Sequence, residues 1–571
     1  MYQKYIPSLS WLRNYNKSWL SGDISAGLTV GVMLIPQGMA YSMLAGLPPI
    51  YGLYAVTIPL ILYALLGTSR QLAVGPVAMV SLLIASGVGH LAETGTEQYI
   101  VYAIALALMV GIIQFSMGFF RLGFLVNFLS HPVIAGFTSA AAVIIAFSQV
   151  KHLLGVKASG EKFMDIVGQL AQQIGNTNIY TLSIGIASII LLVVLKKINK
   201  FIPAPLIVVL LGILAVYLGG LTAYDVRIVG EIPSGLPSFI IPVMDIPVFK
   251  TLLPAALTIA FVGFMESIAV AKAIHARHKD YTLDANQELI ALGVANIGGA
   301  FFRSFPVTGG FSRTAVNDQA GAKSGLASLI SAGLIIITLL FLTGYFYYLP
   351  HTVLAAIIIV AVYGLIDFKE ATHLWHTDRT DFVLFMLVAI GTLILGIEEG
   401  ILLGVLLSVG ILIYRVSYPH FAELGRINNG RDFRNIQRFP EAEIHPEVAV
   451  MRFDAPLFFA NTAYFRDKIE QLTAYRKSVR YFIWDAAPVS NIDSSAMHAI
   501  HDLTDSLRTS GITLLIAGMI GPLRDKLSTA GIIDYVGKDH CFVSVSDAYH
   551  FAVEGQTNPA AHIATQAHKK Q

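Results

Sequence analysis

The chain has 571 residues, of which 55% are hydrophobic and 13% are charged, and its mean hydropathy is +0.66. A soluble globular protein carries about 25% charged residues, so the composition excludes this class and indicates a polytopic membrane protein. The formal net charge of +2 does not indicate a nucleic-acid partner. The single cysteine, Cys541, excludes an intramolecular disulfide.

The N-terminal residues 1–22 are too polar for a cleavable signal peptide. Their tryptophans and basic residues predict a cytoplasmic segment at the membrane interface. Fourteen apolar runs follow, which predict fourteen membrane spans. The runs cover residues 25–43, 50–67, 75–92, 99–120, 130–150, 179–197, 203–220, 251–274, 284–302, 310–321, 325–347, 350–366, 380–396 and 398–416. The third and the tenth runs are poor as full spans.

Lysines and arginines concentrate in alternate loops, and the exception is the loop at 151–162, which carries three lysines although the alternation places it outside. The loops at 196–200 and 272–279 are basic, for example, whereas the loop at 89–98 contains neither residue type. Because basic loops stay in the cytoplasm, we expect both termini in the cytoplasm. The expected location is therefore the inner (cell) membrane, with multiple passes.

An even division places seven spans in each half, residues 23–220 and 250–418 of a transmembrane domain at 23–418. Because seven is odd, the second half is inserted upside down relative to the first, as in transporters whose substrate site lies near the midplane. Spans one and eight begin alike, AGLTVGVML and AALTIAFVG, and a polar residue, Gln37 or Glu266, follows in each.

Spans three and ten each follow a short extended run, QLAV or FPVT, which leads into Gly75-Pro76 or Gly309-Gly310. Such breakers predict a half-helix that begins inside the membrane. Two helix starts that face each other present free N–H groups and positive dipole ends, which form an anion site. The alternative is a pair of kinks in ordinary helices.

Arg313 lies in the first turn of the tenth span. A guanidinium there would add a positive charge to the dipole end and could clamp an oxyanion. The alternative is an arginine that reaches out to the membrane interface. The neighbouring Ser312 could donate a hydrogen bond to a substrate or only cap the helix.

Glu266 is the only charged residue between positions 251 and 271. A charge near the bilayer centre costs at least ~2.5–3.5 kcal/mol on insertion scales. Because folding does not need this residue, we expect it to bind or carry a charged species. A carboxyl group in a low-dielectric site can exchange a proton, and a proton that moves with an anion neutralises part of its charge.

Three segments carry a family likeness. They are PQGMAYSMLAGLPPIYGLY (36–54), GTSRQLAVGPVAMVS (67–81) and ANQELIALGVANIGGAFFRSFPVTGGFSRTAVN (285–317). Together with the C-terminal domain, they resemble the SulP anion transporters, relatives of the sulfate permeases, over about residues 20–555. The likeness implies a seven-plus-seven inverted repeat, a C-terminal STAS domain and a homodimer. It also implies a symporter or exchanger of sulfate, bicarbonate, oxalate, chloride or dicarboxylates.

By this likeness the anion would lie between spans three and ten. Its contacts would be Gln37, Tyr41, Val74, Gly75, Pro76, Val77, Gly310, Ser312 and Arg313. Glu266 falls where proton-coupled sulfate-transporting members carry a glutamate implicated in coupling, whereas sodium–bicarbonate members have an aspartate-centred cation site in this region. The likeness also implies that spans 1–3 and 8–10 move as one group against the others.

From about residue 440 the pattern alternates strands with helices, which predicts a small cytoplasmic α/β domain over 440–555. It resembles a STAS domain through the motif NIDSSA at 491–496. In soluble anti-sigma antagonists of this fold a serine at the matching place is phosphorylated, so Ser494 and Ser495 are candidate phosphosites. Alternatively, Asp493 or Ser494 only caps the helix. A cytoplasmic partner of this domain is a further expectation, and the tail at 556–571 is predicted to be disordered.

The sequence contains no catalytic triad, P-loop or metal-ligand cluster, so we expect no enzyme activity, no cofactor and no metal. The favoured hypothesis is a secondary active transporter of a small oxyanion, sulfate before bicarbonate or a dicarboxylate, driven by proton symport through Glu266. The alternatives are an anion exchanger, a passive anion channel and, from a different class, a membrane-anchored STAS signalling protein.

Overall fold

The computed structural model describes residues 6–124, 130–157, 163–198, 203–242, 245–278, 280–427 and 432–555. The tail predicted to be disordered, 556–571, lies outside the described residues, as do residues 1–5 of the N-terminal segment. The chain divides into two compact units, Met1–Ser408 and Val409–Gln571.

The first unit is helical. Its helices, with the last one continuing into the second unit, are α1 (Ser8–Arg13), α2 (Leu20–Leu44), α3 (Pro49–Tyr54), α4 (Ile58–Leu66), α5 (Ala78–Gly89), α6 (Glu97–Phe119), α7 (His131–Leu154), α8 (Phe163–Gln173), α9 (Ile179–Ile198), α10 (Ala204–Gly219), α11 (Ile246–His275), α12 (Ala285–Phe301), α13 (Phe311–Gln319), α14 (Leu326–Ile337), α15 (His351–Tyr363), α16 (Phe368–Thr377), α17 (Arg379–Leu395) and α18 (Ile397–Ser417).

Every predicted apolar run coincides with one of these helices or with a broken pair. The second run is divided between α3 and α4, and the eleventh continues from α14 through a π-helix (Thr338–Leu342) into a 3₁₀-helix (Thr343–Phe346). Eight helical segments among the described residues are long and apolar enough to cross a membrane. The predicted class, a helical polytopic membrane protein, is confirmed, and the number of fourteen spans stays a prediction.

The membrane helices pack as two groups. Helices α2–α6 pack with α11–α14, whereas α7, α9 and α10 pack with α15, and α7 also packs with α17. In the predicted repeat the first group corresponds to spans 1–4 and 8–11. Helices α6 and α12 approach each other closely, since a Cβ atom added to Gly293 would lie 2.5 Å from the Phe115 backbone nitrogen. In that repeat the first group takes four spans from each half, and the movement of spans 1–3 and 8–10 as one group stays a prediction.

Two short buried strands pair within the first group. Strand β1 (Val74–Gly75) pairs antiparallel with β2 (Thr308–Gly309), so that each half of the chain contributes one strand. Helices α5 and α13 follow the strands and contain 12 and 9 residues, which corresponds to about 18 and about 14 Å. Both are shorter than the hydrocarbon core of ~30 Å. They are half-helices, and the alternative of kinks in continuous helices is wrong.

The second unit is an α/β domain. Its strands and helices are β3 (Phe421–Arg426), β4 (Phe433–Asn435), β5 (Val448–Phe453), α19 (Thr462–Tyr475), β6 (Tyr481–Asp485), α20 (Ser494–Thr509), β7 (Thr513–Ala517), α21 (Gly521–Thr529), α22 (Ile532–Val536), β8 (Cys541–Phe542) and α23 (Val545–Glu554). The sheet order is β4-β3-β5-β6-β7-β8, with β5 to β8 parallel and the first two strands antiparallel. The sheet thus includes two strands, β3 and β4, that precede the predicted domain start at residue 440.

Alternating residues of the sheet supply two apolar layers. On β6, Phe482 and Trp484 belong to the core that α19–α22 cover, whereas Tyr481 and Ile483 face the core that includes Tyr549 of α23. This alternation is expected for a sheet with helices on both faces, because successive side chains point to opposite sides. The predicted α/β class of this domain is confirmed.

Candidate anion site

The starts of α5 and α13 lack side-chain caps. Their N-cap residues, Val77 and Gly310, have extended backbone and no polar side-chain atom. The Gly310 N–H donates to the Ala73 carbonyl at 3.1 Å, which continues the strand pairing up to the helix start. Because the first N–H groups of a helix have no partner within the helix, both starts keep donors available for a ligand.

Arg313 connects the two helix starts. Its Nη1 donates to the Pro76 carbonyl at 2.6 Å. A Cβ atom added to Gly310 would lie 2.8 Å from Nη2, and one added to Gly75 would lie 3.4 Å from the same atom. The residue is 2% exposed, and its Nε and Nη2 have no hydrogen-bond partner. The alternative of an arginine that reaches out to the interface is therefore wrong.

Helix α2 contributes Gln37 and Tyr41, which are both buried. Their spacing of four places them on the same face of the helix. The Gln37 Oε1 is buried and has no hydrogen-bond partner. Tyr41 interacts electrostatically with both Arg313 and Glu266, so the phenol lies within electrostatic range of the guanidinium and the carboxyl group.

Glu266 on α11 faces the same region. Its Oε2 is buried without a hydrogen-bond partner, and its charge interacts with that of Arg313. Both residues are described by the structure, and no salt bridge joins them. Glu266 also lines a cavity of about 660 Å³, together with Met79 of α5, Phe311 of α13 and Lys369 of α16. Glu266 thus borders this cavity and lies within electrostatic range of the guanidinium.

The structure brings most of the predicted contact residues together. Val74, Gly75, Pro76 and Val77 are buried along the β1–α5 junction, and Val74 pairs with Gly309, which directly precedes the N-cap of α13. Ser312 differs, because it is exposed. It also lies inside α13 rather than at its N-cap, so the alternative that it caps this helix is wrong.

Sequence reasoning missed a polar network that holds β2. The Asn296 amide accepts from the Val307 N–H at 2.8 Å and donates to the Val307 carbonyl at 3.1 Å, so one side chain holds both backbone groups. Asn296 also donates to the Gln114 Oε1 at 3.0 Å. Both side chains are 1% exposed. Polar residues within apolar runs are expensive in a membrane, and this signal could have identified them.

The segment before α5 is held differently, by side chains of α13. The Thr314 Oγ1 accepts from the Ala73 N–H at 3.0 Å, and the Asn317 Nδ2 donates to the Gln71 carbonyl at 2.8 Å. Together with Arg313, three residues of one half-helix therefore fix the strand segment of the other half.

The sequence matches two families. Residues 20–388 match the sulfate permease family, and residues 439–548 match the STAS domain. The chain belongs to the sulfate permease family. This family is one of membrane transporters rather than enzymes.

Curated relatives cover nearly the whole chain. Sulfate transporter 4.1, chloroplastic, of Arabidopsis thaliana is 41% identical over 570 residues, which is 96% of this chain and 82% of the relative. A probable sulfate transporter of Mycobacterium tuberculosis is 35% identical over 547 residues, which is 95% of this chain and 97% of the relative.

Solved structures show the same fold. Murine solute carrier 26 family member A9, an anion transporter, in the inward-facing state has a TM-score of 0.89 at 27% identity, with 96% of this chain and 94% of that chain covered. The transmembrane domain of the cyanobacterial bicarbonate transporter BicA has a TM-score of 0.60 at 22% identity, with 69% of this chain and 98% of that chain covered. At this identity BicA shows the fold alone.

The candidate phosphosites of the STAS domain lie at the start of α20. Asp493 is the N-cap residue, and its Oδ1 accepts from the Ala496 N–H at 2.8 Å while its Oδ2 accepts from the Phe459 N–H at 2.9 Å. The capping interpretation is confirmed for Asp493. Ser494 and Ser495 are exposed, and their phosphorylation stays a prediction.

Proposed function

We propose that this protein is a secondary active transporter that takes up sulfate together with protons across the inner membrane, with both termini in the cytoplasm. Sulfate would bind where the α5 and α13 starts meet, against Arg313, with Gln37 and Tyr41 on the α2 side. Glu266 would carry the proton. The names of the relatives, which describe sulfate transporters from a plant and a bacterium, support the choice of sulfate over bicarbonate or a dicarboxylate.

The observation that carries the proposal is the unpaired guanidinium of Arg313. Buried polar groups in proteins are almost always hydrogen-bonded, and a buried charge without partners is expensive. Here two of the guanidinium nitrogens are left without partners at the point where two uncapped helix starts meet. A tetrahedral oxyanion can accept from the guanidinium and from both rows of N–H groups at once, so it would supply the acceptors that these donors lack.

Glu266 supports coupling to protons. An ionised Glu266 carboxylate would attract the Arg313 guanidinium and repel an incoming anion, whereas a protonated carboxyl group would do neither. Proton binding and anion binding therefore favour each other, which is the thermodynamic requirement of symport. Each proton carried with sulfate also cancels one elementary charge that would otherwise move across the membrane potential, which is worth ~2.3 kcal/mol per 100 mV.

Two hydroxyls near Glu266 argue for protons over sodium. Ser267 and Thr308 are the side chains that could assist the carboxylate in holding a cation. The Ser267 and Thr308 oxygens lie 2.6 Å apart, and Thr308 donates to the Gly263 carbonyl. Each oxygen already accepts one hydrogen bond, so only one lone pair on each is left for a sodium ion.

Transport requires movement, and the packing suggests which helices move. We propose that the group α2–α6 with α11–α14, which carries every candidate contact, moves against the group built on α7, α9, α10 and α15. Hydrophobic contacts within each group would persist, whereas the cavity beside Glu266 would open and close. A homodimer is the proposed assembly.

Purified protein in proteoliposomes tests the proposal. An inward proton gradient should accelerate labelled sulfate uptake, and Glu266→Gln should abolish the acceleration. Arg313→Ala should reduce uptake about 10- to 100-fold, because charge-assisted hydrogen bonds contribute ~1.5–3 kcal/mol. Glu399→Gln, which changes an exposed carboxylate, should behave as wild type.

If sulfate uptake does not change with pH and is unaffected by Glu266→Gln, proton symport is ruled out, and an exchanger or a channel remains. Unchanged transport in Arg313→Ala would rule out the anion site. Competition by unlabelled sulfate, bicarbonate and a dicarboxylate separates the three oxyanions, and the proposal requires sulfate to compete best.

A further inference from the structure

A chain of three hydrogen bonds joins α11 to the start of α13. The Gly309 N–H donates to the Ser267 Oγ at 2.7 Å. The Ser267 Oγ and Thr308 Oγ1 lie 2.6 Å apart, and the Thr308 hydroxyl donates to the Gly263 carbonyl at 2.5 Å. Ser267 is fully buried, and Thr308 is 1% exposed.

The number of donors fixes the direction of this chain. A hydroxyl has one hydrogen to donate, and the Thr308 hydrogen goes to Gly263. Ser267 must therefore donate to Thr308, while its own oxygen accepts from Gly309. The order is Gly309 N–H to Ser267, Ser267 to Thr308, and Thr308 to Gly263, and each bond polarises the next one.

The position of this chain connects the two parts of the proposed mechanism. Ser267 directly follows Glu266 on α11, and Gly309 directly precedes Gly310, the N-cap of α13. One hydroxyl thus separates the helix that holds the proton carrier from the N–H groups that would hold the anion. A shift of α11 relative to α13 must either carry Gly309 with it or leave a buried N–H without a partner, at a cost of ~1–3 kcal/mol.

We propose that Ser267 is the positioning residue that transmits the protonation state of Glu266 to the anion-binding N–H groups of α13. The inference rests on the proposed function. When Glu266 changes charge, its attraction to Arg313 changes, α11 moves relative to α13, and Ser267 moves Gly309 and the start of α13 with it. The affinity for sulfate therefore follows the pH through this hydroxyl.

Few other ionisable groups face Glu266. Arg313 on α13 and Tyr41 on α2 interact with its charge, and Asp367 and Lys369 line the same cavity. Helix α5 carries no ionisable residue, those of α6 lie in its first six residues, and the carboxylate of α12, Glu288, is held by hydrogen bonds from the 63–69 region. Glu266 is thus the ionisable group whose change of charge Ser267 would transmit.

The test is the apparent KM for sulfate uptake into proteoliposomes at about pH 6 and about pH 8. In wild-type protein we expect this KM to rise about tenfold between the two pH values, a typical coupling between two sites. Ser267→Ala should reduce the rise to less than about twofold, with a maximal rate within about threefold of wild type. Ser267→Thr, which keeps the hydroxyl, should restore the pH dependence.

A second break in the chain and a matched control complete the experiment. Thr308→Val removes the next hydroxyl without changing the side-chain shape, so it should also reduce the rise of KM with pH. This variant tests the inference even if Ser267→Ala does not fold. Thr392→Val removes a buried hydroxyl that bonds only to its own helix, at the Val388 carbonyl, and should keep the wild-type rise.

The outcomes separate this inference from the proposed function. If Ser267→Ala and Thr308→Val raise KM equally at both pH values, the hydroxyls only support the fold and the inference is overturned. If Glu266→Gln removes the pH dependence while both hydroxyl variants keep it, the inference fails and proton symport stands. If Glu266→Gln keeps the pH dependence, the proposed function fails first.

Discussion

Arg313 is a charged side chain that the protein buries with a single hydrogen bond. A guanidinium offers five N–H donors in a rigid fork, and here Nη1 binds the Pro76 carbonyl while Nε and Nη2 have no partner. Its position depends on two glycines, Gly75 and Gly310, because a side chain at either would approach Nη2. The absence of two Cβ atoms thus makes room for the charge.

Gly310→Ala should displace the guanidinium. The added methyl group would lie 2.8 Å from Nη2 and 2.9 Å from Cζ, so Arg313 must move away from the helix starts. We expect the apparent KM for sulfate to rise about tenfold, which is a loss of about 1.4 kcal/mol in binding. Uptake kinetics in proteoliposomes measure this effect.

The control for this variant is Gly333→Ala, since a Cβ atom there meets no other atom within 4 Å. It should leave KM unchanged. Equal KM values for Gly310→Ala and wild type would contradict the position assigned to Arg313.

At the scale of elements, the starts of α5 and α13 form the candidate anion site, and the sequence predicted both half-helices. The breakers Gly75-Pro76 and Gly309-Gly310 stand where the helices begin, since glycine and proline interrupt regular structure in any context. The hydrogen bonds that fix the strands were not predictable, because Ser267 and Thr308 are 41 residues apart and periodicity carries no information about such pairs. Strand β4 was missed because it has only three residues, and β3 was missed because it follows a membrane helix almost directly.

The approach of α6 to α12 makes a prediction for stability. Gly293→Ala places a Cβ atom 2.5 Å from the Phe115 nitrogen and 2.8 Å from the Gly111 carbonyl oxygen, and neither backbone atom can turn away. Over-packing of this kind costs ~1–3 kcal/mol, so we expect a lower Tm in detergent, measured by tryptophan fluorescence. Gly410→Ala, with nothing within 4 Å, should leave Tm unchanged, and equal Tm values for both variants would contradict the close packing.

At the scale of the whole molecule, the predicted orientation follows from charge and not from the fold. The same helices could be inserted in either direction, and only the distribution of lysine and arginine over the loops distinguishes the two. Residues on the second unit and residues in the loop between α8 and α9 should therefore lie on opposite sides of the membrane.

The lone cysteine makes this orientation measurable. Burial raises the pKa of the Cys541 thiol to about 12, and because the thiolate is the nucleophile, the native cysteine should react very slowly with maleimide at neutral pH. Tyr475→Cys, at a position 87% exposed, should be labelled by an impermeant maleimide only after the cells are opened. Ile174→Cys, at a position 65% exposed, should be labelled in intact cells, and the reverse pattern would invert the proposed topology.

The hydrogen bonds around β1 also set an order of events during synthesis. The segment 71–76 of the first half receives its partners from Gly310, Arg313, Thr314 and Asn317, which leave the ribosome more than 230 residues later. Until then the lead-in to α5 lacks these hydrogen bonds, so they do not yet hold the start of α5 in place. The first half is consequently completed by residues of the second half, and the two half-helix starts take their final positions only after both halves have been translated.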